Sequence, residues 1–319
     1  MTDTSLELEE WLPQVCEIAY NAGLLISKYY HQNVALDIER KADGTPVTVA
    51  DKVADDLICL ALKELTPDIP LITEESVEHV PFEKRQAWST YWLVDPLDGT
   101  KEFIANTGEY SVNIALIHNH RPVLGVVYGT ELGNMYFAYK HQKHKNPKYK
   151  HQKHKNKETA ENSLIDSDRA AKISNLLPIK TEAELDWQNL VEQAVNIQVA
   201  TLPDGQSSEA SYKVAVSRRH GGELQRFMAQ LGYCSKIKMG SALKTCLVAE
   251  GKADIYPRFG PTSLWDTAAA QCILEVAGGA VLNAAGHPLE YIQTESLLNP
   301  FFIAVSHKDH NWPAFAEVM

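Results

Sequence analysis

Cysteine is scarce in this 319-residue sequence, and the five cysteines present carry no pairing signal. They are Cys16, Cys59, Cys234, Cys246 and Cys272, an odd number in which no two are spaced as C-x-x-C. The sequence therefore predicts neither a disulfide framework nor a thiolate zinc site. Most of them lie in apolar helical patterns, so we expect small buried side chains in a protein of the reducing cytoplasm.

Long apolar runs and a basic surface are also lacking. No run reaches the ~18 residues of a membrane-spanning helix, and the acidic stretch 1–11 is unlike a signal or transit peptide. The net charge of -11 argues against a nucleic-acid partner. Because an acidic enzyme repels phosphate anions, a role on phosphate esters would require divalent cations, which turn a carboxylate cluster into an anion site.

The first part of the chain combines helical periodicity with short apolar runs. Residues 6–30 and 48–65 are predicted helices, and Thr48 stands three residues before Asp51, as in a capping box. Predicted strands follow at 70–73, 91–94, 111–117, 123–128 and 135–139, the third and fourth forming a hairpin.

The last hundred residues alternate strands and helices, which favours a layered α/β architecture. The predicted strands are 212–217, 255–257, 280–283 and 302–305, and the predicted helices are 222–231, 241–251 and 266–277. We divide the chain into an N-terminal α+β half (1–139), an insertion (140–210) and a C-terminal α/β half (211–319).

The insertion opens with a basic repeat. His-Gln-Lys-His-Lys-Asn occurs at 141–146 and again at 151–156, and residues 140–157 contain eight lysines and no acidic residue. Such a composition cannot bury a core, so we interpret the block as a solvated loop extension without a catalytic role. Adventitious metal binding by its histidines, or contact with acidic lipid or RNA, are the alternatives. The block is therefore compatible with peripheral contact on the cytoplasmic side of the inner membrane.

Three acidic clusters follow predicted strands or open a predicted helix. They are Glu74-Glu75, the run Asp95-Pro96-Leu97-Asp98-Gly99-Thr100, and Asp266 in Trp265-Asp266-Thr267. We expect Asp95 to leave its strand, with Pro96 and Gly99 forming a tight turn that aims two carboxylates at one point. Hard oxygen ligands suit magnesium rather than zinc, and two such ions can clamp an in-line phosphoryl transfer.

Each cluster also has a simpler interpretation. Asp266 could be only a helix N-cap, Glu74-Glu75 a solvated pair, and 95–100 an Asp/Gly turn. A chemical rival is the D-x-D-G-T motif of aspartyl-phosphate phosphatases, whose first Asp is a nucleophile. That motif needs an acid where Pro96 stands, so we reject it.

Taken together, in this order and at these separations, the clusters resemble the inositol monophosphatase superfamily of lithium-sensitive, magnesium-dependent phosphatases. The resemblance covers nearly the whole chain except about 140–210 and implies an αβαβα sandwich. Within the superfamily, residues 41–51, 98–104 and 256–262 resemble the 3'(2'),5'-bisphosphate nucleotidases of the bacterial CysQ type. A plain inositol monophosphatase would usually have Thr-Asn-Phe where Lys101-Glu102-Phe103 stands.

The resemblance implies two principal Mg²⁺ ions. The first would be bound by Glu74, Asp95 and the main-chain carbonyl of Leu97. The second would be bound by Asp95, Asp98 and Asp266, and a third, weaker ion would share Glu74.

The resemblance also implies a catalytic set of Asp51, Thr100 and Glu74, in which Asp51 and Thr100 orient and deprotonate the attacking water. Ser241 and Lys244 resemble a Gly-Ser-x-x-Lys element that meets the nucleotide. Arg258 and His220 stand where the family contacts the 5'-phosphate or base, although 217–220 could equally be a solvated turn. The implied substrate contacts are Glu74, Leu97, Asp98, Gly99, Thr100, His220, Ser241, Lys244, Arg258 and Asp266.

The implied reaction is hydrolysis of adenosine 3',5'-bisphosphate (PAP) to AMP, and of the sulfate carrier PAPS to APS, in sulfate assimilation. An inositol or other sugar phosphatase on the same scaffold is the enzyme alternative. A non-catalytic nucleotide or lithium sensor is the alternative of another class. Such a sensor should lack one of six residues that are all present here: Asp51, Glu74, Asp95, Asp98, Thr100 and Asp266. The sequence leaves the oligomeric state open.

Overall fold

A computed structural model describes residues 6–31, 38–40, 46–141, 168–178, 184–202, 211–218 and 221–313. Its helices are α1 (Leu8–Tyr30), α2 (Val49–Leu65), α3 (Phe82–Arg85), α4 (Thr100–Ile104), α5 (Trp187–Glu192), α6 (Gly222–Leu231), α7 (Leu243–Ala249) and α8 (Ala268–Val276), with 3₁₀ turns at Val77–His79 and Leu264–Asp266. Its strands are β1 (Ile38–Arg40), β2 (Pro46–Thr48), β3 (Leu71–Thr73), β4 (Thr90–Asp98), β5 (Ser111–His118), β6 (Arg121–Gly129), β7 (Asn134–Tyr139), β8 (Arg169–Ile173), β9 (Val195–Asn196), β10 (Tyr212–Val216), β11 (Cys234–Lys238), β12 (Ile255–Arg258), β13 (Ala280–Asn283) and β14 (Phe302–Val305).

The strands form two main sheets and one short hairpin. The first sheet has seven strands in the order β3-β4-β5-β6-β7-β8-β9, antiparallel throughout except for the parallel pair β3–β4. The second has five strands in the order β11-β10-β12-β14-β13, with β10 parallel to both neighbours. Strands β1 and β2 pair with each other alone. The sequential pairing of β4 to β7 confirms the predicted hairpin and its neighbours.

Side chains alternate between the two faces of each strand and so create three separate cores. On β4, Trp92 and Val94 pack against α1 and α2, whereas Tyr91 and Leu93 face α7 and α8. The opposite surface of α7 and α8 meets the second sheet, which carries α6 on its far face. The layers therefore run helix, sheet, helix, sheet, helix, and the predicted αβαβα sandwich is confirmed.

Helix α2 begins as predicted. The Thr48 hydroxyl accepts a hydrogen bond from Ala50 N at 3.2 Å, and Asp51 Oδ2 accepts one from Thr48 N at 2.7 Å. The Thr48 side chain also receives the backbone N–H of Asp51, which with the bond from Thr48 N to Asp51 completes a capping box. These bonds satisfy backbone donors that the helix itself cannot pair. The same bonds also place the Asp51 side chain at the end of α2 that faces the C-terminal ends of β3 and β4.

Two predictions about the ends of elements are wrong. Strand β4 does not stop before Asp95 but continues to Asp98, with a register irregularity between Asp95 and Asp98. Pro96 lies in that irregularity, where the sheet needs no hydrogen bond from its nitrogen. The helix predicted over 241–251 begins only at Leu243, because Ser241 has a positive φ of 51°.

Some structure was not predicted. Strand β11 is mostly exposed, so it lacks the apolar alternation that marks a strand. Within the stretch interpreted as an insertion, β8 pairs with β7 and β9 pairs with β8, so residues 169–173 and 195–196 extend the first sheet. Residues 142–167, which contain nearly all of the Lys/His block, lie outside the described residues.

Cys16, Cys246 and Cys272 are buried and all five cysteines are free thiols. The predicted burial is confirmed for these three cysteines. None of the helices in the described part of the chain is both long enough and apolar enough to cross a membrane.

Gly125 is where α8 crosses the first sheet. A Cβ at this position would lie 2.4 Å from the carbonyl oxygen of Ala269, a backbone atom of α8 that cannot rotate away. We expect Gly125→Ala to lower the free energy of unfolding by about 2 kcal/mol, because the layers must separate to admit one methyl group. Urea unfolding followed by circular dichroism would measure it.

Gly222 provides the control, since a Cβ there would meet nothing within 4 Å. Gly222→Ala in α6 should leave stability unchanged or raise it by up to about 1 kcal/mol. Equal effects of the two substitutions would contradict the close approach of α8 to β6.

Candidate active site

Three carboxylates converge where β3 and β4 end. Glu74 directly follows β3, and its backbone N–H donates to Val94 O on β4 at 3.1 Å. Asp95 lies on β4 and is 1% exposed. Asp266 ends the 3₁₀ turn Leu264–Asp266 of the C-terminal half. One oxygen from each of these side chains lies within 4.8 Å of the other two.

Backbone donors hold two of these carboxylates in place. Leu97 N donates to Asp95 Oδ1 at 3.0 Å across the irregular end of β4. Ser263 N donates to Asp266 Oδ2 at 2.9 Å, which completes a capping box for the 3₁₀ turn. The interpretation of Asp266 as N-cap of the following helix is wrong, because the N-cap of α8 is Thr267. Asp266 instead accepts a hydrogen bond from Ser263, three residues before it in the chain.

Asp98 flanks this group and is held differently. Its Oδ2 accepts hydrogen bonds from Ala242 N at 2.6 Å and from Asn113 Nδ2 at 3.2 Å. The three carboxylates within mutual reach do not include Asp98, although its charge acts on both Asp95 and Asp266. The structure therefore brings three of the four predicted carboxylate ligands together and leaves the fourth at their edge.

Burial and mutual repulsion dominate the electrostatics. Burial, followed by the charges of Glu74 and Asp98, holds the pKa of Asp95 well above its ordinary value. Burial and the same two neighbours do so for Asp266. Burial raises the pKa of Asp98 to about 6, against the opposing effect of the Lys244 ammonium. Such a cluster is unfavourable unless a cation neutralises it, and oxygen donors of this kind fit a hard divalent ion such as Mg²⁺.

Asp51 and Thr100 meet at the side of the carboxylate cluster. Asp51 is 3% exposed, and its Oδ2 accepts hydrogen bonds from Thr48 N and from Thr48 Oγ1 at 2.6 Å. Its Oδ1 accepts a hydrogen bond from the Thr100 hydroxyl at 3.1 Å. The same hydroxyl lies 3.3 Å from the Leu97 carbonyl oxygen, a second acceptor. When its single proton takes the shorter bond, to Asp51, the oxygen of Thr100 can still accept a hydrogen bond from another donor. The predicted pair is thus in contact.

Gly99 joins β4 to α4 with a positive φ of 96°, a conformation that disfavours any side chain. A Cβ there would also lie 3.4 Å from the Tyr110 backbone. The predicted turn at Gly99 is therefore present, directly after Asp98.

The predicted nucleotide residues line an adjoining cavity. Lys244 is buried, donates to the Ser241 carbonyl at 2.5 Å and lies 5.2 Å from the centroid of the Tyr256 ring. Arg258 donates to Ser217 Oγ at 3.4 Å and to the Pro261 carbonyl at 2.9 Å.

Ser241, Lys244 and Arg258 share a cavity of about 280 Å³ with Asp98, Gly99 and Asp266. A larger cleft of about 780 Å³ beside it is lined by Glu74, Asp95 and Thr100, and Asp98 and Arg258 line both. His220 lies outside the described residues.

Two polar residues that were not predicted lie behind Asp98 and Ser241, outside the lining of both cavities. Ser111 and Asn113 lie on β5, both almost fully buried, and face the same side because they are two residues apart. They hydrogen-bond to each other and, in turn, to Ser241 and Asp98. The available signal was their polarity inside an otherwise apolar strand.

The comparisons with known proteins identify a phosphatase, and the chain belongs to the inositol monophosphatase family. The model of that family matches residues 7–312. An IMPase of Thermotoga maritima shares the fold, with a TM-score of 0.62 at 19% identity over 93% of this chain and 92% of its own.

More similar relatives belong to one branch of the family. The 3'(2'),5'-bisphosphate nucleotidase CysQ of Escherichia coli K12 is 39% identical over 292 residues, which is 91% of this chain and 98% of the relative. The CysQ of Haemophilus influenzae is 32% identical over 306 residues, 95% of this chain and 96% of the relative. The crystal structure of CysQ from Bacteroides thetaiotaomicron has a TM-score of 0.71 and 34% identity, covering 94% of this chain and 98% of its own.

The repulsion within the cluster predicts a pH effect on the protein in EDTA. Because the folded pKa of Asp98 is about 6 and its ordinary value is 3.8, the folded state binds this proton more tightly. Its contribution to stability is therefore complete below 3.8 and is lost as the pH rises through 6. We expect Asp98→Asn to be more stable than the parent in EDTA by up to about 3 kcal/mol at pH 7, because the pKa rises from 3.8 to about 6 and each unit corresponds to ~1.4 kcal/mol.

Urea unfolding in EDTA between pH 4 and pH 8 would measure this difference, which should vanish towards pH 4. Asp68→Asn, an exposed aspartate beyond α2, serves as the control and should show no such trend. A destabilised Asp98→Asn protein at pH 7 would contradict the repulsion.

Proposed function

We propose that the protein hydrolyses the 3'-phosphate of adenosine 3',5'-bisphosphate to give AMP and phosphate, and converts PAPS to APS, in sulfate assimilation. The main support for this proposal is that an acidic subsite lies directly beside a subsite with basic side chains. The carboxylate cluster suits a metal-held phosphate, and the adjoining cavity carries Lys244 and Arg258, which suit a second anion. A bisphosphate supplies both anions. The bisphosphate nucleotidases named above, similar over more than nine tenths of the chain, support this substrate class.

The proposal includes two principal Mg²⁺ ions and a third, weaker one. Glu74, Asp95 and the carbonyl of Leu97 would hold the first. Asp95, Asp98 and Asp266 would hold the second, and Glu74 would be shared with the third. When bound, such ions neutralise the charge that develops on the phosphoryl oxygens and lower the pKa of nearby water.

Asp51 and Thr100 supply the proton pathway in this scheme. Thr100 donates its proton towards Asp51 Oδ1 at 3.1 Å, so its oxygen can accept a hydrogen bond from the attacking water. As the water oxygen bonds to phosphorus, its proton moves towards Thr100 and the threonine proton moves to Asp51. The bond to the 3'-oxygen breaks, that oxygen takes up a proton from solvent water to become the 3'-hydroxyl of AMP, and Asp51 later releases its proton to solvent. The phosphoryl group passes directly to water with inversion, without a phosphoenzyme.

The remaining parts of the proposal concern the surroundings of the enzyme. We place it in the cytoplasm with a small nucleotide as its partner and no nucleic acid, in keeping with its net charge of -11. The basic block 140–157 permits peripheral contact with the cytoplasmic side of the inner membrane through acidic lipid.

Turnover of adenosine 3',5'-bisphosphate and of inositol 1-phosphate, each with Mg²⁺, tests the substrate class. We expect kcat/KM to favour the nucleotide by about 100-fold or more, because charge-assisted bonds to the second phosphate contribute roughly 1.5–3 kcal/mol each. Lithium should inhibit the reaction. Equal or better turnover of the inositol ester would exclude the nucleotidase assignment.

Arg258→Gln sharpens this comparison. It should raise KM for adenosine 3',5'-bisphosphate about 10-fold or more and leave KM for adenosine 3'-monophosphate within about twofold, because only the first substrate has a 5'-phosphate to lose. Equal changes for both substrates would show that Arg258 does not meet the second anion.

Thr100 should act on the chemical step. Thr100→Ala should lower kcat by about 100-fold or more, in the range of proton-transfer catalysis, while the Mg²⁺ midpoint shifts less than about threefold. Thr100→Ser keeps the hydroxyl and should retain most of kcat. Steady-state kinetics at several Mg²⁺ concentrations would separate the two effects, and a weakened Mg²⁺ midpoint with full kcat at saturation would exclude the role in water activation.

A further inference from the structure

A continuous chain of hydrogen bonds connects Asp98 with the loop 240–244. Asp98 Oδ2 accepts from Asn113 Nδ2 at 3.2 Å, and Asn113 Oδ1 accepts from Ser111 Oγ at 2.7 Å. Ser111 Oγ lies 2.8 Å from Ser241 Oγ. The next residue in that loop returns to the start, because Ala242 N donates to Asp98 Oδ2 at 2.6 Å. The bonds and two loop residues therefore form a closed ring.

The direction of every bond in the ring is determined by its members. The ionised Asp98 carboxylate only accepts, so Asn113 must turn its NH₂ group to Asp98 and its carbonyl to Ser111. Ser111 donates its single hydroxyl proton to the Asn113 side-chain carbonyl. The Ser241 hydroxyl must therefore donate to Ser111 Oγ. Ser241 in turn accepts from Leu243 N at 3.4 Å. No alternative arrangement of these protons satisfies all the groups.

The part of the ring formed by Ser111 and Asn113 is shielded from solvent, whereas Asp98 and Ser241 line the cavity. Ser111 is 0% and Asn113 is 1% exposed, so water cannot readily replace a bond that is removed. Two donors on the same oxygen hold the plane of the Asp98 carboxylate. Ser241 keeps its strained φ of 51° while its side chain is bonded to Ser111 and its carbonyl to Lys244.

We propose that Ser111 and Asn113 are positioning residues, which hold Asp98 for a divalent cation and transmit its position to the nucleotide loop 240–244. This inference rests on the proposed function in two respects, namely that Asp98 binds Mg²⁺ and that residues 240–244 contact the nucleotide. Partners that orient a metal ligand commonly affect metal affinity or activity 10- to 100-fold when they are removed. Neither side chain lines the two cavities of the site, so both act through Asp98 and Ser241.

Mg²⁺ binding to the nucleotide-free protein provides the first readout. Titration calorimetry on Asn113→Leu, which has nearly the same shape without polar atoms, should show affinity lowered about 10-fold or more. Ser111→Ala is the second variant and should weaken Mg²⁺ binding by about threefold or more, since Asn113 then loses the bond that orients it. The Ser111→Ala result decides the question if Asn113→Leu does not fold.

Thr90→Val is the matched control. Thr90 Oγ1 shares a 2.7 Å hydrogen bond with His118 at the far end of the same β4–β5 ladder, so this variant loses one cross-strand bond without touching the ring. Its Mg²⁺ affinity should stay within about twofold of the parent. Unchanged Mg²⁺ affinity in folded Asn113→Leu and Ser111→Ala, or an equal loss in Thr90→Val, would overturn the proposal.

Nucleotide binding provides a second, separate readout. Ser111 stands between Asn113 and Ser241, so Ser111→Ala should raise KM for the nucleotide at saturating Mg²⁺ more than Asn113→Leu does. The opposite order would overturn the link to the loop. The calorimetric result does not depend on the substrate, so weakened Mg²⁺ binding without any nucleotide turnover would refute the proposed function and leave the positioning role standing.

Discussion

Mutual repulsion of the carboxylates that meet where β3 and β4 end governs the candidate site of this protein. Glu74, Asp95 and Asp266 offer oxygens within 4.8 Å of one another, and Asp98 adds a fourth charge. Such a group destabilises a fold on its own account, since burial and like charge both oppose ionisation. The protein compensates with backbone donors aimed at the carboxylates: Leu97 N, Ser263 N and Ala242 N. These donors do not cancel the negative charge of the carboxylates, and a bound divalent cation would neutralise it.

The layered fold explains how these residues come together from distant parts of the chain. The first sheet brings Glu74 and Asp95 to one edge through the parallel pair β3–β4. The helical layer between the sheets supplies Asp266 just before α8 and Ala242 just before α7. Neither half of the chain alone contains the complete site. The close contact of α8 with β6 at Gly125 therefore also matters for chemistry, because a shift of this layer would move Asp266 relative to Asp95.

Two subsites with different chemistry meet at Asp98. One side is acidic and suits cations, whereas the other carries the buried Lys244 together with Arg258. Asp98 belongs to both, since Lys244 opposes the rise in its pKa while Glu74 adds to it. A bisphosphate substrate would span this boundary, and the hydrogen-bond ring through Ser111 and Asn113 would keep the two sides in a constant relation.

Elements with strong local patterns, and the acidic residues that make up the candidate site, could be predicted from the amino-acid sequence. Helices α1 and α2, the hairpin of β5 and β6 and the Thr48 cap belong to this group, because periodicity and capping act over a few residues. Three features became visible only in the folded chain: β4 continues to Asp98, Asp266 accepts its capping bond from Ser263 N, and Asn113, held by Ser111, donates to Asp98. These features depend on contacts between residues far apart in sequence, such as Asp98 with Ala242, and local pattern contains no record of such contacts.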